Sequence, residues 1–428
     1  MTEHESKPVS ATITPTAAAD IHWQAIVIGA GPGGSAAATR LAASGLSVLV
    51  IDATTMPRPK VCGACLSPAG VRELAALARL AGDPAALPAG AVPLERVHLA
   101  TAAVAATVPL AGGAVVSREA LDSAGVRRAI AAGAAWLPAT RVARIEPGLG
   151  GHCVVVSLSP AASGSGGDCL TGVIVVVATG LADTIRLSGD ANDAAPSSRI
   201  GMGTTLPAGA GGPPPGELVM AVARGGYCGI VRLEDGRIDI AAALDRGLIA
   251  QTGSPARAVA SILEETMFLA ESGGGIFPGD PPGRIVLDSK LLGAATWRGT
   301  PPLTRSQPVA DPTGRILRIG DAAGYVEPFT GEGMGWALAS ARLLVEAVGA
   351  AVANPAPGKY ALTAAAARYA VAHRRHFAKH HARCRRVAIA VRRPWIVGGA
   401  ARLARLAPGI AARMTPLVVG AAGIKEIR

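Results

Sequence analysis

The chain has 428 residues, of which 50% are hydrophobic and 17% charged, with 54 glycines, 32 prolines and six cysteines. This apolar content excludes an intrinsically disordered protein, and so few cysteines in a long chain exclude a disulfide-stapled secreted scaffold. The net charge of +11 is concentrated near the C-terminus, where residues 371–428 hold 13 Lys and Arg residues and one acid. That segment lacks the interleaved aromatic residues of a nucleic-acid-binding surface, so no nucleic-acid partner is expected.

The first 22 residues mix Glu, Ser, Thr and Pro and lack the basic start and the apolar run of a signal peptide. We predict that residues 1–22 form a disordered arm. No uninterrupted apolar stretch approaches the about 18 residues that a membrane-spanning helix needs. The expected location is therefore cytoplasmic, with reduced thiols.

A βαβ unit is predicted between residues 25 and 52, with strands at 25–28 and 47–51 and an Ala-rich helix between them. The turn after the first strand has the GxGxxG pattern, with Gly29, Gly31 and Gly34. Such glycines permit a tight turn and let a pyrophosphate approach the helix N-terminus. Asp52 ends the second strand, where a carboxylate can accept hydrogen bonds from a ribose. These features predict a dinucleotide site without separating FAD from NAD.

The later elements alternate between helical and strand-like patterns. A Gly/Ser-rich loop between two β-rich runs predicts a hairpin, and the many short strand-like runs of 199–244 indicate an antiparallel sheet. The predicted elements are a helix at 117–132, the hairpin at 154–178, the sheet at 199–244, a helix at 255–270 with Ser254 as its N-cap, a strand at 316–319, a helix at 334–351 and one long helix at 359–391.

A second glycine-rich motif follows the strand at 316–319. Asp321 stands at its end, where it can accept hydrogen bonds from a polyol such as ribitol, and Pro328, Gly331 and Gly333 precede the next helix. Amides at that helix N-terminus can stabilise negative charge on a reduced isoalloxazine ring. This second motif selects FAD, because a plain NAD dehydrogenase has no use for it.

Together, the two motifs resemble those of FAD-dependent oxidoreductases with the glutathione-reductase-type FAD fold, the superfamily of aromatic hydroxylases, geranylgeranyl reductases and flavin halogenases. The resemblance covers roughly residues 23–349. It implies an α/β fold with a Rossmann-like three-layer FAD-binding domain (p-hydroxybenzoate-hydroxylase-like), an inserted β-sheet substrate domain and a helical C-terminal tail. The predicted boundaries are 1–22 for the arm, 23–90, 113–185 and 305–350 for the FAD-binding domain, 91–112 and 186–304 for the substrate domain, and 351–428 for the basic helical tail.

The resemblance also assigns residues near the flavin. Arg118 occupies the place of an arginine that this group has beside the ring, although a surface position on its helix is the competing interpretation. Lys60, Cys62 and Gly63 match a K-x-C-G loop that lies next to the flavin in the reductases and halogenases, which makes Cys62 a catalytic candidate as well. Cys62 and Cys65 also form a CxxC pair, for which a redox disulfide and a zinc site are alternatives. No metal is predicted, because further ligands are lacking.

Tyr227 is the other catalytic candidate. It matches the tyrosine of a Tyr-x-Trp-x-Phe-Pro pattern of geranylgeranyl reductases, but Gly229 and 231–232 replace the rest of that pattern. The Trp-x-Trp-x-Ile-Pro pattern of tryptophan halogenases is absent. Tyr227 either donates a proton to substrate or simply packs in the sheet.

The leading functional hypothesis is an FAD-dependent monooxygenase that hydroxylates an aromatic or polyketide/lipid-like substrate with NAD(P)H and O2. No second GxGxxG begins another βαβ unit, so NAD(P)H would bind transiently, or a separate protein would supply electrons. The main alternative is a flavin-dependent C=C reductase of the geranylgeranyl reductase type. A non-catalytic flavin-binding protein is the third hypothesis.

The basic tail has three interpretations. His373, His376 and His380 share one helix face, which raises a metal site, but no carboxylate accompanies them. A solvated basic face is the second interpretation. Peripheral membrane contact through residues 373–428 is the third, because apolar runs alternate with arginines, as on a helix that lies on an anionic bilayer. It would suit an apolar or aromatic small-molecule substrate.

Overall fold

The computed structural model describes residues 7–148, 153–159, 169–182, 185, 198–266, 287–327, 329, 331–354 and 358–406. The helices are α1 (Pro15–Ala19), α2 (Pro32–Ala43), α3 (Pro68–Leu80), α4 (Arg118–Ala131), α5 (Arg246–Thr252), α6 (Pro255–Glu265), α7 (Ser289–Ala294), α8 (Gly333–Ala353), α9 (Lys359–Ala390) and α10 (Pro394–Leu406). The strands are β1 (His22–Ile28), β2 (Val48–Ile51), β3 (Cys65–Leu66), β4 (Val92–Thr101), β5 (Val104–Val115), β6 (Ala135–Leu137), β7 (Val142–Pro147), β8 (Val154–Leu158), β9 (Cys169–Val177), β10 (Ile200–Leu206), β11 (Glu217–Ala223), β12 (Gly226–Arg232), β13 (Ile238–Leu244), β14 (Arg298–Pro302), β15 (Arg305–Ser306), β16 (Ile316–Arg318) and β17 (Gly324–Tyr325).

The first sheet has parallel strands at its centre. Its order is β6-β2-β1-β9-β8-β7, and β16 also pairs with β9. Strands β6, β2, β1, β9 and β16 are parallel, whereas β7 and β8 form the predicted antiparallel hairpin. The central strands are apolar on both faces because both faces are covered. Helices α2, α4, α8 and α9 lie on one side with Val27, and the hairpin lies on the other with Ile26.

The second sheet has eight strands in the order β14-β10-β13-β12-β11-β4-β5-β3, so the segment 92–115 joins strands that come a hundred residues later. Side chains alternate across it with a period of two. Ile240 and Ala242 pack outward against α6, whereas Ala241 and Ala243 face the first domain, meaning the first sheet with the helices and loops around it. This inward face therefore forms one wall of the space between the two sheets.

Residues 7–22 do not form the disordered arm predicted from their composition. Thr14 caps α1, the buried Val9 donates its amide to the carbonyl of Met56, and Thr12 donates to the carbonyl of Trp136. The indole of Trp136 donates in turn to the carbonyl of Val9 at 3.2 Å. Backbone hydrogen bonds and two buried apolar side chains thus hold the segment against the first sheet and the loop that follows β2. Residues 1–6 lie outside the described residues.

Helix α8 is, within the described part of the chain, the one helix long and apolar enough to cross a membrane. It instead packs between α2 and α9, and its Leu338, Leu344 and Val348 are buried. Its place in the core explains its apolar composition, so that composition is only weak evidence for a membrane-spanning helix.

Helix α9 is the predicted long helix, and it does not present a purely solvated basic face. Arg383 places Nη2 2.6 Å and 2.7 Å from the two carboxylate oxygens of Glu332, the residue before α8. His381 and Phe377 contact Trp336 of α8 through their rings. The charges and histidines of this helix therefore pack partly against α8. The part of the predicted tail at 407–428 lies outside the described residues.

Candidate functional site

The GxGxxG turn joins β1 to the N-terminus of α2 as predicted. Gly29 has a φ of +102°, and a Cβ there would lie 2.5 Å from the carbonyl oxygen of Ala178. A Cβ at Gly34 would overlap the carbonyl oxygen of Gly29. Both positions therefore require glycine, because the turn packs directly against its own backbone and that of Ala178, directly after β9. Gly31 is the N-cap residue of α2, so the free amides of the first turn lie beside it.

Asp52 lies directly after β2 and supports this turn. Its Oδ2 accepts a hydrogen bond from the amide of Ala30 at 2.8 Å, and its Oδ1 accepts from the amide and the hydroxyl of Thr54 at 3.0 Å and 2.8 Å. The carboxylate is buried and therefore fixed at the mouth of the glycine turn. Its predicted role toward a ribose stays a prediction.

Two guanidinium groups lie over the glycine turn. A Cβ at Gly31 would be 3.6 Å from Nη2 of Arg118 and 3.8 Å from Nη2 of Arg58. Arg118 is held by two hydrogen bonds to Asp122, at 3.0 Å and 2.8 Å, so it is not a surface residue of its helix. The same Nη2 of Arg58 is 3.4 Å from Asp52 and 3.5 Å from Asp122.

The glycine turn with Arg58 and Arg118 over it, which we call the glycine cradle, has the chemistry that a pyrophosphate requires. The Nε of Arg58 is buried without a hydrogen-bond partner, which leaves a donor available for an added anion. Amides at a helix N-terminus and two arginines together form a strong anion site. The residues present therefore fit the diphosphate of FAD. Arg58 is a residue that the sequence reasoning missed, although it stands two positions before the singled-out Lys60.

Lys60 and Asp321 continue the site away from the glycine turn. A Cβ at Gly180 would be 3.1 Å from the Nζ of Lys60, which places the ammonium next to the end of β9. Burial, together with Arg118 and Arg58, lowers the pKa of Lys60. Burial raises the pKa of Asp321, opposed by the charges of Lys60 and Arg118. Asp321 lies in the turn after β16, as predicted.

The loop with Cys62 and Gly63 lies between the glycine cradle and the second sheet. The Sγ of Cys62 is 3.9 Å from the Sδ of Met334, at the start of α8. Burial raises the pKa of the Cys62 thiol, and the same cause raises that of Cys65. Both cysteines are free thiols in the structure. A protonated thiol is a poor nucleophile, so the environment of Cys62 favours packing over covalent catalysis.

Gly331 and Gly333 bound the N-terminus of α8 close to this loop. Gly331 has a φ of +67°, and a Cβ there would be 3.5 Å from the Cβ of Cys65. Helix α8 therefore directs its first amides toward the Cys62 loop, which is the arrangement expected for stabilising a reduced flavin. Pro328, the remaining residue of the predicted motif, lies outside the described residues.

A cavity of about 370 Å³ opens between these elements and the inward face of the second sheet. Polar residues from the first domain line one end, among them Lys60, Arg118 and Asp321. The opposite wall is apolar and comes from β11, β12 and β13. Its members include Leu218, Met220, Tyr227, Gly229 and Ala241, and Leu303, directly after β14, also lines the cavity. A flat, apolar ligand can therefore contact the second sheet while facing the predicted flavin loops.

Tyr227 lies in the apolar wall with a charged group behind it. Its ring meets that of Phe329 edge-to-face at a centroid distance of 5.0 Å, and Cζ of Arg199 lies 5.5 Å from its centroid. Nη1 of Arg199 is 3.2 Å from the buried carboxylate of Glu327. Burial and the neighbouring Glu327 raise the pKa of Tyr227 well above its usual range, so its hydroxyl stays protonated at neutral pH. The sequence reasoning missed Arg199 and Glu327.

The described residues hold no group of three or more His, Cys, Asp and Glu side chains arranged for a metal ion. His373, His376 and His380 do follow one another along α9. Ring contacts connect His373 to Tyr369 and Phe377, and His380 to Trp336. Their environment is therefore a packed aromatic layer.

Comparison by sequence finds short matches. The profile of the NAD(P)-binding Rossmann-like domain matches residues 27–68. Menaquinone reductase of Mycobacterium tuberculosis is 57% identical over 49 residues, which is 11% of this chain and 12% of that protein. The protein of the same name from Mycolicibacterium smegmatis is 53% identical over 49 residues. The chain thus matches only a small part of the length of these curated relatives.

Comparison by structure covers almost the whole chain. Flavin-dependent brominase Bmp2 is 15% identical with a TM-score of 0.66, over 94% of each chain. PqsL of P. aeruginosa in complex with 2-aminobenzoylacetate is 19% identical with a TM-score of 0.62, over 89% of this chain and 99% of that one. A variant of halogenase PltM in complex with FAD is 14% identical with a TM-score of 0.64, over 94% and 84%. These likenesses confirm the predicted fold class, a Rossmann-like FAD-binding fold with a second sheet.

Proposed function

We propose that this protein is an FAD-dependent monooxygenase that hydroxylates an aromatic or polyketide/lipid-like substrate, using NAD(P)H and O2. The observation that carries the proposal is the cavity of about 370 Å³ between the predicted flavin loops and an apolar wall of the second sheet. Its polar end fits a charged cofactor, and its apolar end fits a flat hydrophobic molecule. Its position between two domains is a common one for small-molecule sites.

The first domain supplies the cofactor half of the proposed reaction. The amides at the N-terminus of α2, with Arg58 and Arg118, would hold the diphosphate, and Asp52 and Asp321 would bind the hydroxyls on either side of it. FAD, when bound, supplies the transfer of electrons from a reduced nicotinamide to dioxygen. In the overall reaction, one oxygen atom enters a C–H bond of the substrate. The other oxygen atom leaves as water, with two electrons from NAD(P)H and one added proton.

The second sheet supplies the substrate half. Leu218, Met220 and Leu303 remove apolar substrate surface from water, which stabilises binding by about 25 cal/mol per Å² of buried apolar area. The small residues Gly229 and Ala241 leave room for a ring against the sheet. The PqsL complex supports an aromatic ligand, since 2-aminobenzoylacetate is aromatic.

Tyr227 is the proposed proton-holding group at the substrate. Its hydroxyl stays protonated, because burial and Glu327 disfavour the phenolate. Its single O–H is hydrogen-bonded to Glu327, so donation to a substrate oxygen requires that the hydroxyl turn from Glu327 to the substrate, while Phe329 holds the ring edge-to-face. Arg199 orients Glu327 behind it.

The test is a turnover experiment with labelled dioxygen. Purified protein loaded with FAD is mixed with NADPH or NADH, ¹⁸O₂ and a panel of phenols with and without alkyl chains. We expect substrate-dependent NAD(P)H oxidation and a product that carries one ¹⁸O atom. A protein that binds no FAD, or that consumes NAD(P)H without ever labelling a product, contradicts the proposal.

The second candidate function is reduction of a C=C bond in an isoprenoid substrate. Two observations favour it: the short match to menaquinone reductases and the loop that contains Lys60, Cys62 and Gly63. The same protein is therefore incubated without oxygen, with reduced flavin and a polyprenyl quinone. The product is reoxidised in air to the quinone before mass analysis, because a quinol also carries two added hydrogen atoms. A reoxidised product that is still heavier by two hydrogen atoms would select C=C reduction over oxygenation.

A further inference from the structure

Helix α10 carries an apolar stripe on the face that points away from the protein. Trp395, Leu403 and Leu406 are 74%, 52% and 85% exposed. Their spacing, i, i+8 and i+11, places them on one side of an α-helix. Ile389, near the end of α9, is 59% exposed and extends the set. In the described part of the chain, four of the eight exposed large hydrophobic side chains therefore fall within residues 389–406.

The opposite face of α10 is already packed, which fixes the direction of the stripe. Val397, Gly398 and Ala401 are buried. A Cβ at Gly398 would lie 3.3 Å from the hydroxyl oxygen of Thr101, so the helix approaches the turn between β4 and β5 closely. The exposed stripe is thus the outer side of a docked amphipathic helix and is not a core face awaiting its own domain.

The charges of the segment that carries the stripe have one sign. Residues 385–406 contain six arginines and no acidic residue. Arg392 reaches Asp245 at 3.1 Å, whereas Arg402 and Arg405 are exposed on α10 itself. Tryptophan and arginine beside leucine form the composition of a helix that lies in the headgroup region of an anionic bilayer.

The inner side of the same region packs against residues that line the cavity. Val391, between α9 and α10, and Val397 pack in one hydrophobic cluster with the cavity residues Met220, Tyr227 and Leu303. The helix with the exposed stripe is therefore next to the apolar end of the cavity.

We propose that α10, with the end of α9, docks the protein on the surface of an anionic lipid bilayer through Trp395, Leu403 and Leu406. The single sign of charge favours a lipid surface over a second copy of the chain, since two such faces would repel each other. One part of the proposal rests on the proposed function: docking would place the cavity where a lipid-like substrate can arrive from the bilayer. Docking itself is measured without turnover.

The full-length protein is sedimented with vesicles of phosphatidylcholine containing 30% phosphatidylglycerol, and separately with phosphatidylcholine alone. We expect binding to the anionic vesicles that weakens with added salt. The triple variant W395S/L403S/L406S should bind at least about tenfold more weakly, because it loses the apolar side chains that enter the headgroup region. The variant R402Q/R405Q should bind about thirtyfold more weakly, since each basic residue near a charged surface usually contributes about fivefold.

Matched controls separate docking through α10 from nonspecific hydrophobic binding and from misfolding. The variant L80S/Y360S removes two exposed apolar side chains elsewhere and should bind vesicles as the unchanged protein does. The variant W395F keeps an apolar ring, so it should bind vesicles but lose the fluorescence quenching that bromine-labelled lipid produces at position 395. Thermal unfolding and flavin content report whether each variant is folded.

Three results would overturn the proposal: equal vesicle binding by the unchanged protein and the triple variant, no binding to anionic vesicles, or light scattering that shows a dimer dissociated by the triple substitution. None of these depends on whether the protein oxygenates its substrate. Conversely, turnover on a water-soluble phenol tests the proposed function alone, since α10 does not touch that reaction.

Discussion

Arg58 places one guanidinium nitrogen 3.4 Å from the carboxylate of Asp52, directly over the glycine turn that precedes α2. The contact joins a loop cation to the residue that supports the turn. Because the Nε of the same side chain has no partner, this arginine is arranged to receive an anion as well as to pair with an acid.

Replacing Arg58 by alanine should therefore weaken FAD binding. A charge-assisted hydrogen bond contributes about 1.5–3 kcal/mol, so the Kd for FAD should rise about ten- to hundredfold. The measurement is a titration followed by flavin fluorescence. Arg79→Ala is the matched control, because Arg79 is exposed on the last turn of α3. Equal affinities for both variants would remove Arg58 from the site.

Asp52→Ala should destabilise the fold as well as reduce FAD binding. The substitution deletes the acceptor of three hydrogen bonds, from the amide of Ala30 and from the amide and hydroxyl of Thr54. At about 1 kcal/mol each, the free energy of unfolding without FAD should fall by about 3 kcal/mol. Asp52→Asn, which keeps one acceptor oxygen, should lose less. Urea unfolding of both apoproteins tests this order, and full tight flavin in Asp52→Ala would contradict the site assignment.

Tyr227→Phe should leave FAD bound and lower turnover at least about tenfold, because it removes only the hydroxyl that we propose donates to substrate. Burial and Glu327 hold the pKa of this tyrosine well above 10, so its ionisation should produce no loss of rate between pH 7 and pH 9. The control is Tyr360→Phe, at a position 89% exposed. Unchanged turnover in Tyr227→Phe would assign the residue to packing.

Arg383→Met should affect the flavin half of the site from a distance. It leaves the buried carboxylate of Glu332 without its closest cation, immediately before the N-terminus of α8. A negative charge that has lost this cation opposes the anionic reduced form of a flavin, so the reduction potential of bound FAD should fall. The free energy of unfolding should also fall, by about 1–3 kcal/mol. Arg385→Met, at an exposed position of the same helix, should change neither quantity.

The histidines of α9 should make the protein sensitive to acid. Burial lowers the pKa of His373 and that of His381 to about 4, against about 6.5 in an unfolded chain. The unfolded state therefore binds more protons in this range, and stability should decrease as the pH falls from about 6.5 toward 4. Urea unfolding at pH 7, 6 and 5 should show this decline. It should be smaller in H373Q/H381Q and unchanged in the variant of an exposed histidine, H22Q.

The local parts of the site were predictable because their geometry is encoded within short segments. The turn with Gly29 and Gly34 follows from backbone clashes that any side chain would cause, and the place of Asp52 follows from strand length. Ser254 caps α6 by accepting a hydrogen bond from the amide of Arg257, as a serine before a proline indicates.

The non-local parts could not be predicted in this way. Glu332 and Arg383 are 51 residues apart, and the pairing of Arg199 with Glu327 spans 128. No sequence periodicity relates such distant positions. Each pair comes into contact only after the helices and sheets that carry its two residues have packed together. The prediction of a disordered N-terminal arm was wrong for residues 7–22, for a related reason. The composition of this segment is polar, but a few contacts to Met56 and Trp136 are enough to hold it.

That segment also bears on how the protein behaves at high concentration. Strand β6 ends the first sheet, and Thr12 exchanges hydrogen bonds with Trp136 of that strand, its amide donating to the carbonyl and its hydroxyl accepting from the amide at 2.7 Å. An open strand edge is a template for pairing with other chains. The segment around Thr12 thus occupies part of this strand edge. A protein shortened to begin at β1 would keep every residue of the cavity and yet be the less soluble of the two.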